Sequence, residues 1–529
     1  MRGRTGLLVG AATVALAFGA GAAAAATPAD TFVMAKQIDD IITLDPQESF
    51  EFSGNEINAN TYERVMNFDA TDLVNLKPAA AESFTVSDDG KTITFKIRDA
   101  KFASGAPVTA EDVAFSLQRG VKMNKSPGFI LTQLGWDKDN VDKLVKAVDP
   151  KTLQVTITED FGPGFVLSTL SANIASVVEK KVVLQHEKDG DLGNGWLKTA
   201  YAGSGAFVMR SWKPNESVVL EANPTFWRGA PKVKRVVVRH VPEPATQRLL
   251  LEKGDVDMAR NLSADQVAGL AGNKDVIVES SPKAEVYYMG LNQKDERLRN
   301  PKVRQALRWL VDYQGMTDSF LKGRFKVHQG FWPSGFAGSL TETPFKLDVA
   351  KAKALLAEAG YPNGFEVALD ASNSYPSINV AQSVQATMGQ AGVKVNIIPG
   401  EQKQVITKYR ARNHQMVFLY WSPDYVDPHS NADTFTRNPD NSDNAKSKPL
   451  AWRNAWEIPE LTKKTDAAAR ERDPAKRLQM YLELQKAVQE DSPFIIAFQA
   501  QDQPARRANV KGFVAGPFAD QTFYRLVQK

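Results

Sequence analysis

Cysteine is absent from all 529 residues. The chain therefore has no disulfide, no thiolate nucleophile and no cysteine-bound metal, and a cysteine-linked lipid anchor is excluded. Histidine is scarce as well: five occur, at positions 186, 240, 328, 414 and 429, without ligand-like spacing. His186-Glu187 lacks the second histidine of a zincin helix, and Gly203-Ser204-Gly205 is not the G-x-S-x-G turn that carries a nucleophilic serine. After the first 26 positions no apolar run approaches the ~20 residues of a membrane-spanning helix. Charge of one sign is also missing, because basic residues are interleaved with acidic ones and the net charge is only +4. Nucleic acid and anionic membranes are not partners that such a balance attracts. No metal, cofactor or catalytic constellation is expected.

The composition present is that of an ordinary soluble protein, 43% hydrophobic and 24% charged. At ~150 residues per domain the length allows two to four domains. Arg2 and Arg4 precede an apolar stretch over 7–18, and Ala24-Ala25-Ala26 supplies small residues for cleavage. Residues 1–26 thus read as an export signal cut after Ala26, with an uncleaved anchor as the alternative. Removing them takes away two arginines and no acid, which lowers the 65 basic residues to 63 against 61 acidic ones, a net charge of +2. An exported protein without a lipid anchor points to the periplasm.

The segment 81–120, AESFTVSDDGKTITFKIRDAKFASGAPVTAEDVAFSLQRG, combines several signals. Asp88-Asp89-Gly90 is a turn. Ile93, Phe95 and Ile97 alternate with polar residues at the period of a half-buried strand. Thr109 with Asp112 reads as a helix start related to the capping box, and Gly120 as its stop. A hairpin and a short helix result, with nothing chemically reactive in them.

Further on, residues 236–241 and 256–258 read as strands joined by a helix over 245–252 that Gly254 stops. Residues 287–291 form a short apolar run. The clearest alternation lies between 348 and 424: helix 349–358, strand 365–369, helix 378–390, strand 393–398, helix 402–412, and an almost wholly apolar strand 416–421. It predicts an α/β fold with a parallel sheet crossed by helices. Ligands of such sheets bind beyond the carboxyl ends of the strands. Those ends are Ser372-Asn373-Ser374-Tyr375, Gly400-Glu401-Gln402 and Ser422-Pro423-Asp424-Tyr425.

Several stretches, in order along nearly all of the mature chain, resemble the oligopeptide/dipeptide type of bacterial extracellular solute-binding protein, family 5. They are the segment 81–120, Leu44-Asp45-Pro46, Tyr62-Glu63-Arg64-Val65, GSGAFVMRSWKPNESVVLEANPTFWRG over 203–229, Lys253-Gly254-Asp255-Val256-Asp257, NPKVRQALRWLVD over 300–312, and Ala359-Gly360-Tyr361-Pro362. The resemblance implies a two-lobed α/β periplasmic binding protein-like fold of cluster C type, with a hinge between the lobes. It divides the chain into lobe I over 27–74, 200–291 and 500–529, an extra α+β subdomain over 75–199, and lobe II over 292–499. The hinge crossings fall near Leu291 and Gln499. It also implies a monomer that captures a peptide-like or amine-bearing solute and docks on the permease subunits of an ABC importer. A ligand-presenting sensor subunit and a secreted hydrolase are the other classes.

Family relatives hold the ligand α-ammonium with an acid in a stretch similar to Trp421-Ser422-Pro423-Asp424-Tyr425, which makes Asp424 the leading candidate. Its alternative is a turn or helix cap near Pro428. Trp421 and Tyr425 are candidate walls or core residues, and Ser422, between them in the chain, is a further ligand-binding candidate. The stretch Phe50-Glu51-Phe52-Ser53-Gly54, Phe52 and Ser53 above all, is expected to line the opposite lobe, with an ordinary loop as its alternative, and Arg260-Asn261 is a further candidate there through Asn261. His429 is a residue that touches ligand or a solvated loop histidine. Dipeptide binders of the family use an arginine near the end of a lobe II strand. The stretch 371–376 has none, only Asn373 and Tyr375, which hydrogen-bond without forming a bidentate ion pair.

Overall fold

The apolar Met416–Trp421 strand lies in the interior of a six-stranded sheet and is buried along nearly all its length. The computed structural model describes residues 27–471 and 473–529; the expected export signal lies outside them. The sheet runs Phe325–Val327, Phe494–Asp502, Ser281–Leu291, Met416–Trp421, Glu366–Ser372, Lys394–Gly400. Its parallel half matches the alternation in the sequence. The helix Val349–Glu358 leads into this half, and Ser377–Gly389 and Gln402–Arg410 connect its three parallel strands. The other half, built from strands outside 348–424, is antiparallel. The apolar run at 287–291 is only the end of a strand that begins at Ser281, because its first residues carry charge and mask the period.

A seven-stranded sheet is built around the Thr31–Lys36 strand, with Arg235–His240 and Met258–Ala259 parallel on either side. The helix Pro244–Lys253 makes the crossover between those two strands, and Gly254 ends it with φ of 82°, a conformation glycine adopts without steric cost. The chain leaves this sheet after Val276–Val278, enters the six-stranded sheet at Ser281, and returns between Asp502 and Ala505. Leu291 lies at the far end of the strand that follows the first crossing, and Gln499 lies inside the strand that precedes the second.

A four-stranded sheet carries the 81–120 segment, with strands Ala81–Val86 and Thr92–Ile97 paired as a hairpin. Thr109 and Asp112 form the reciprocal capping box: the Asp112 N–H donates to Thr109 Oγ1 at 3.3 Å and the Thr109 N–H to Asp112 Oδ2 at 3.0 Å. The helix then runs past Gly120 and ends at Asn124, which takes the left-handed conformation with φ of 44°. Gly120 is therefore no stop. Its missing side chain makes room for Leu131 and Ile174, whose carbons would lie 3.1–3.3 Å from a Cβ there.

The same helix reaches the cleft indirectly. Arg119 is fully buried and grips Asp45 with both guanidinium ends, at 2.7 and 2.6 Å. Its Nη1 also donates to Gln47 Oε1 at 2.7 Å and its Nε to the Leu192 carbonyl at 2.8 Å. Asp45 is further held by Asn194 Nδ2 at 2.8 Å. Each charge is paired and hydrogen-bonded, as burial requires. The pair locks the turn that leads into Phe50 and the helix Phe52–Thr61. Arg119→Ala leaves the Asp45 carboxylate buried and unpaired. The expected result is a loss of about 3–5 kcal/mol in chemical denaturation, with ligand binding weakened because the Phe50–Ser53 segment loses its support.

Candidate functional site

The cleft between the two large sheets follows one edge of the six-stranded sheet. The carboxyl ends of Met416–Trp421 and Phe494–Asp502 meet the amino ends of Ser281–Leu291 and Phe325–Val327 there, because these four strands alternate in direction. Two solvent-connected cavities of about 860 and 1010 Å³ lie along this edge and share Phe52, Gln402, Tyr420 and Ala519. Phe52 and Tyr420 come from opposite sides and meet at 4.7 Å between ring centroids. Phe50 and Trp421 meet edge to face at 5.4 Å. Arg410 reaches across to Glu51 at 2.9 Å, and the Gln402 N–H donates to Asp39 Oδ2 at 3.2 Å. The lobes are thus closed on each other.

The first cavity holds Asp424, Trp421 and Ser422. Among the described residues Asp424 Oδ2 is enclosed without a hydrogen-bond partner, and so are Trp421 Nε1 and Ser422 Oγ. Burial pushes the Asp424 carboxyl well above the ordinary carboxylate range; the nearby Asp520 adds to this and Arg453 opposes it. The capping alternative is settled by the neighbouring acid. Asp427 accepts from the His429 N–H at 2.8 Å and caps the helix Pro428–Thr436, whereas Asp424 enters the turn only through its backbone N–H, which donates to Ser430 Oγ at 2.7 Å.

The second cavity is more polar and holds Ser53, Asn261 and Tyr375, with Phe52 on its border. Asn261 Oδ1 accepts from the Gln37 N–H at 2.8 Å, and Ser53 Oγ donates to the Gln37 carbonyl at 3.3 Å. Tyr375 donates its hydroxyl to the Phe320 carbonyl at 3.2 Å. Two expected residues lie elsewhere. Asn373 is exposed outside both cavities, its N–H pairing with the Gly400 carbonyl at 2.9 Å. The Tyr425 ring is buried against Phe165 of the four-stranded subdomain at 5.7 Å, with its hydroxyl 3.4 Å from Gln133. His429 is neither solvated nor in the cleft. It is 3% exposed, packs on Phe165 at 5.4 Å, and is held neutral by burial.

The stretch 50–53 lines the cleft as expected, Glu51 included, whereas the sequence reading missed Arg410, Arg453, Lys283, Glu285 and Arg324. Burial, reinforced by Arg410, lowers the Arg453 guanidinium to about 10. Burial raises Glu285 to about 7, against the opposing charge of Lys283. These groups come from segments far apart in the chain, and only the shared sheet edge assembles them.

The raised Asp424 carboxyl gives a stability expectation. A folded group that keeps its proton to higher pH than the unfolded one makes the folded state bind more protons in that window, so stability falls as pH rises through it. Asp424→Asn removes the unpartnered charge. Unliganded Asp424→Asn is expected to be more stable than the parent at pH 8 by about 1–3 kcal/mol, with the difference vanishing at pH 3.5. Thermal denaturation at the two pH values measures it.

Known proteins give the arrangement its family. The family model described as bacterial extracellular solute-binding proteins, family 5 Middle, matches residues 75–443. The chain is 30% identical over 505 residues to a protein named probable D,D-dipeptide-binding periplasmic protein DdpA from Escherichia coli, covering 94% of each. It is 26% identical over 489 residues to the glutathione-binding protein GsiB of Salmonella typhimurium, covering 89% of each. Among solved structures it superposes on the periplasmic binding protein DppA of Helicobacter pylori, described in complex with the peptide STSA, with a TM-score of 0.84, 23% identity, and 94% and 98% of the two chains covered. The murein tripeptide binding protein MppA of Escherichia coli gives a TM-score of 0.82 at 24% identity, with 95% and 99% covered. These superpositions show the two-lobed fold of periplasmic peptide-binding proteins. The family model and the 30% identical relative show that the chain belongs to family 5 of the bacterial extracellular solute-binding proteins, a family of binding proteins and not of catalysts.

Proposed function

We propose that this chain captures a peptide or a related amine-bearing solute between its lobes in the periplasm and delivers it to the permease subunits of an ABC importer. One lobe is built on the seven-stranded sheet and the other on the six-stranded sheet. The hinge is the pair of crossings at residues 279–280 and 503–504, and the four-stranded sheet forms a subdomain beside the first lobe. Among the described residues no helix is long and apolar enough to cross a membrane, and the relatives named above include proteins named as periplasmic.

The observation that carries this reading is the Asp424 carboxylate, enclosed at a strand end without a cation. A ligand ammonium supplies the missing charge and a charge-assisted hydrogen bond in a site shielded from water. Trp421 and Phe50 supply apolar walls on opposite sides. A ligand touching both sides has more contact with the closed form than with the open one, and this difference shifts the population towards closure. The permease then receives the closed, loaded form.

Thermal-shift titration with tri-alanine, N-acetyl-tri-alanine and a panel of neutral sugars tests the assignment. Tri-alanine at a hundred times its Kd is expected to add ~2.7 kcal/mol of apparent stability. N-acetylation or Asp424→Asn each weakens binding at least tenfold, and the two losses do not add, because both delete the same ion pair. Affinity for tri-alanine also falls as pH drops, beginning above the range where an ordinary carboxylate titrates, since protonated Asp424 has no charge to offer. A neutral sugar that shifts the melt while no amine does so overturns the reading.

A further inference from the structure

The second cavity contains four cations: Lys36, Arg260, Lys283 and Arg324. Three of them are used by the protein. Lys36 pairs with Glu56. Arg260 bridges Glu56 at 3.0 Å and Asp502 at 3.3 Å. Lys283 lies 3.6 Å from Asp502 and donates to the Gly516 carbonyl at 2.8 Å. Arg324 differs from these. It is 8% exposed, and its Nη1 donates to the Gln503 carbonyl at 3.3 Å. Its Nε has no partner, and among the described residues it forms no ion pair. A guanidinium removed from water with donors unused is costly to the protein unless something else accepts from it. The fork geometry of those donors suits a carboxylate.

The sheet register gives the spacing of the strands that lead to Arg324 and Asp424. Lys326 pairs with Gln499, Gln499 with Val286, and Val286 with Trp421, so one ladder line crosses four adjacent strands. Three strand spacings are about 14 Å. Arg324 precedes Lys326 and Asp424 follows Trp421, and because the two outer strands run in opposite directions both residues project beyond the same, cleft-facing edge. An extended chain advances about 3.3–3.6 Å per residue, so about four residues cover the span. Of the acids in the second cavity, Glu56 and Asp502 are paired with its lysines and Arg260, and Asp39 accepts the Gln402 N–H, whereas Asp40 has a buried Oδ1 without a partner among the described residues. The Phe52–Tyr420 contact marks the middle of the span, where both cavities meet.

We infer that Arg324 is the residue that selects ligands bearing a carboxylate at the end remote from the ammonium, and that the preferred ligand is a zwitterion spanning about 14 Å from Asp424 to Arg324. The inference rests on the reading of Asp424 as the ammonium partner. It also answers the missing arginine of the 371–376 stretch, because the cation is supplied by the turn Lys322-Gly323-Arg324 on another strand, within the cavity that Tyr375 lines.

Calorimetric titration of the full mature chain with tetra-alanine, its C-terminal amide, its N-acetyl form and dialanine is the test, on the parent, Arg324→Gln and Arg324→Lys. In the parent, amidation is expected to weaken tetra-alanine at least tenfold. In Arg324→Gln the acid and the amide bind within about twofold of each other, at the parent's affinity for the amide, and Arg324→Lys lies between. Dialanine binds at least tenfold more weakly than tetra-alanine and is indifferent to Arg324→Gln. If amidation has no effect in the parent, or if its effect survives intact in Arg324→Gln, while N-acetylation still weakens binding, the role of Arg324 is overturned and the ammonium site stands. If dialanine matches tetra-alanine, the span is wrong. If none of the four binds the parent, both readings fall. The comparison of acid with amide in the unaltered protein needs no variant to fold.

Discussion

A carboxylate taken out of water needs a partner, and Asp424 is held in a place where the protein supplies none. The strand Met416–Trp421 is fixed by burial on both faces, the turn after it is fixed by Ser430, and the following helix is capped by Asp427. Asp424 is left pointing into a cleft with one oxygen unsatisfied. Asp520 and the aromatic residues Phe50 and Trp421 line the same cavity. The group therefore either keeps a proton or waits for a cation. In the proposed function this constraint links the fold to its task, with a ligand ammonium relieving the electrostatic penalty when the lobes are closed around it.

The opposite wall has to be equally fixed for that penalty to favour closure. Phe50 and Phe52 meet Trp421 and Tyr420 across the cleft, and they are placed by the turn at Asp45. That turn is bound bidentately by Arg119, from a helix in the four-stranded subdomain. The subdomain also touches the second lobe, where Phe165 and Gln133 receive Tyr425, and Arg470 reaches Glu159 at 3.0 Å. So the 81–120 segment, inert in its own chemistry, acts on the site through packing and one buried ion pair.

Elements with a strong period and clear punctuation were legible. The helix Val349–Glu358 and the strand Met416–Trp421 have the expected limits, because leucine and alanine spacing, Gly360 and the unbroken apolar run leave one reading. Asp424 was legible as a strand-end acid for the same reason. Asn373 was not placed well, because the strand runs through Ser372 and turns the next side chain outwards. Tyr425 resembles a cleft wall in sequence, yet its ring finds a better apolar neighbour in Phe165. Arg324, Lys283 and Glu285 carried no signal. Each sits among other charges in a segment that reads as a solvated turn or strand start, and the antiparallel half of the sheet brings together positions separated by up to about two hundred residues. Local pattern does not reveal such pairings, since their energy lies in contacts that exist only after folding.

Proton linkage tests the central claim most directly. At a pH within the raised range where Asp424 titrates, an ordinary carboxylate has already ionised, whereas burial keeps Asp424 partly protonated. Titrating tri-alanine into the parent protein at that pH, in buffers of different ionisation enthalpy, measures the protons exchanged on binding. The account predicts release of a proton from the protein as the ammonium takes its place beside Asp424, and loss of that release in Asp424→Asn. Binding of tri-alanine with no proton released, or with the same release in Asp424→Asn, would contradict it.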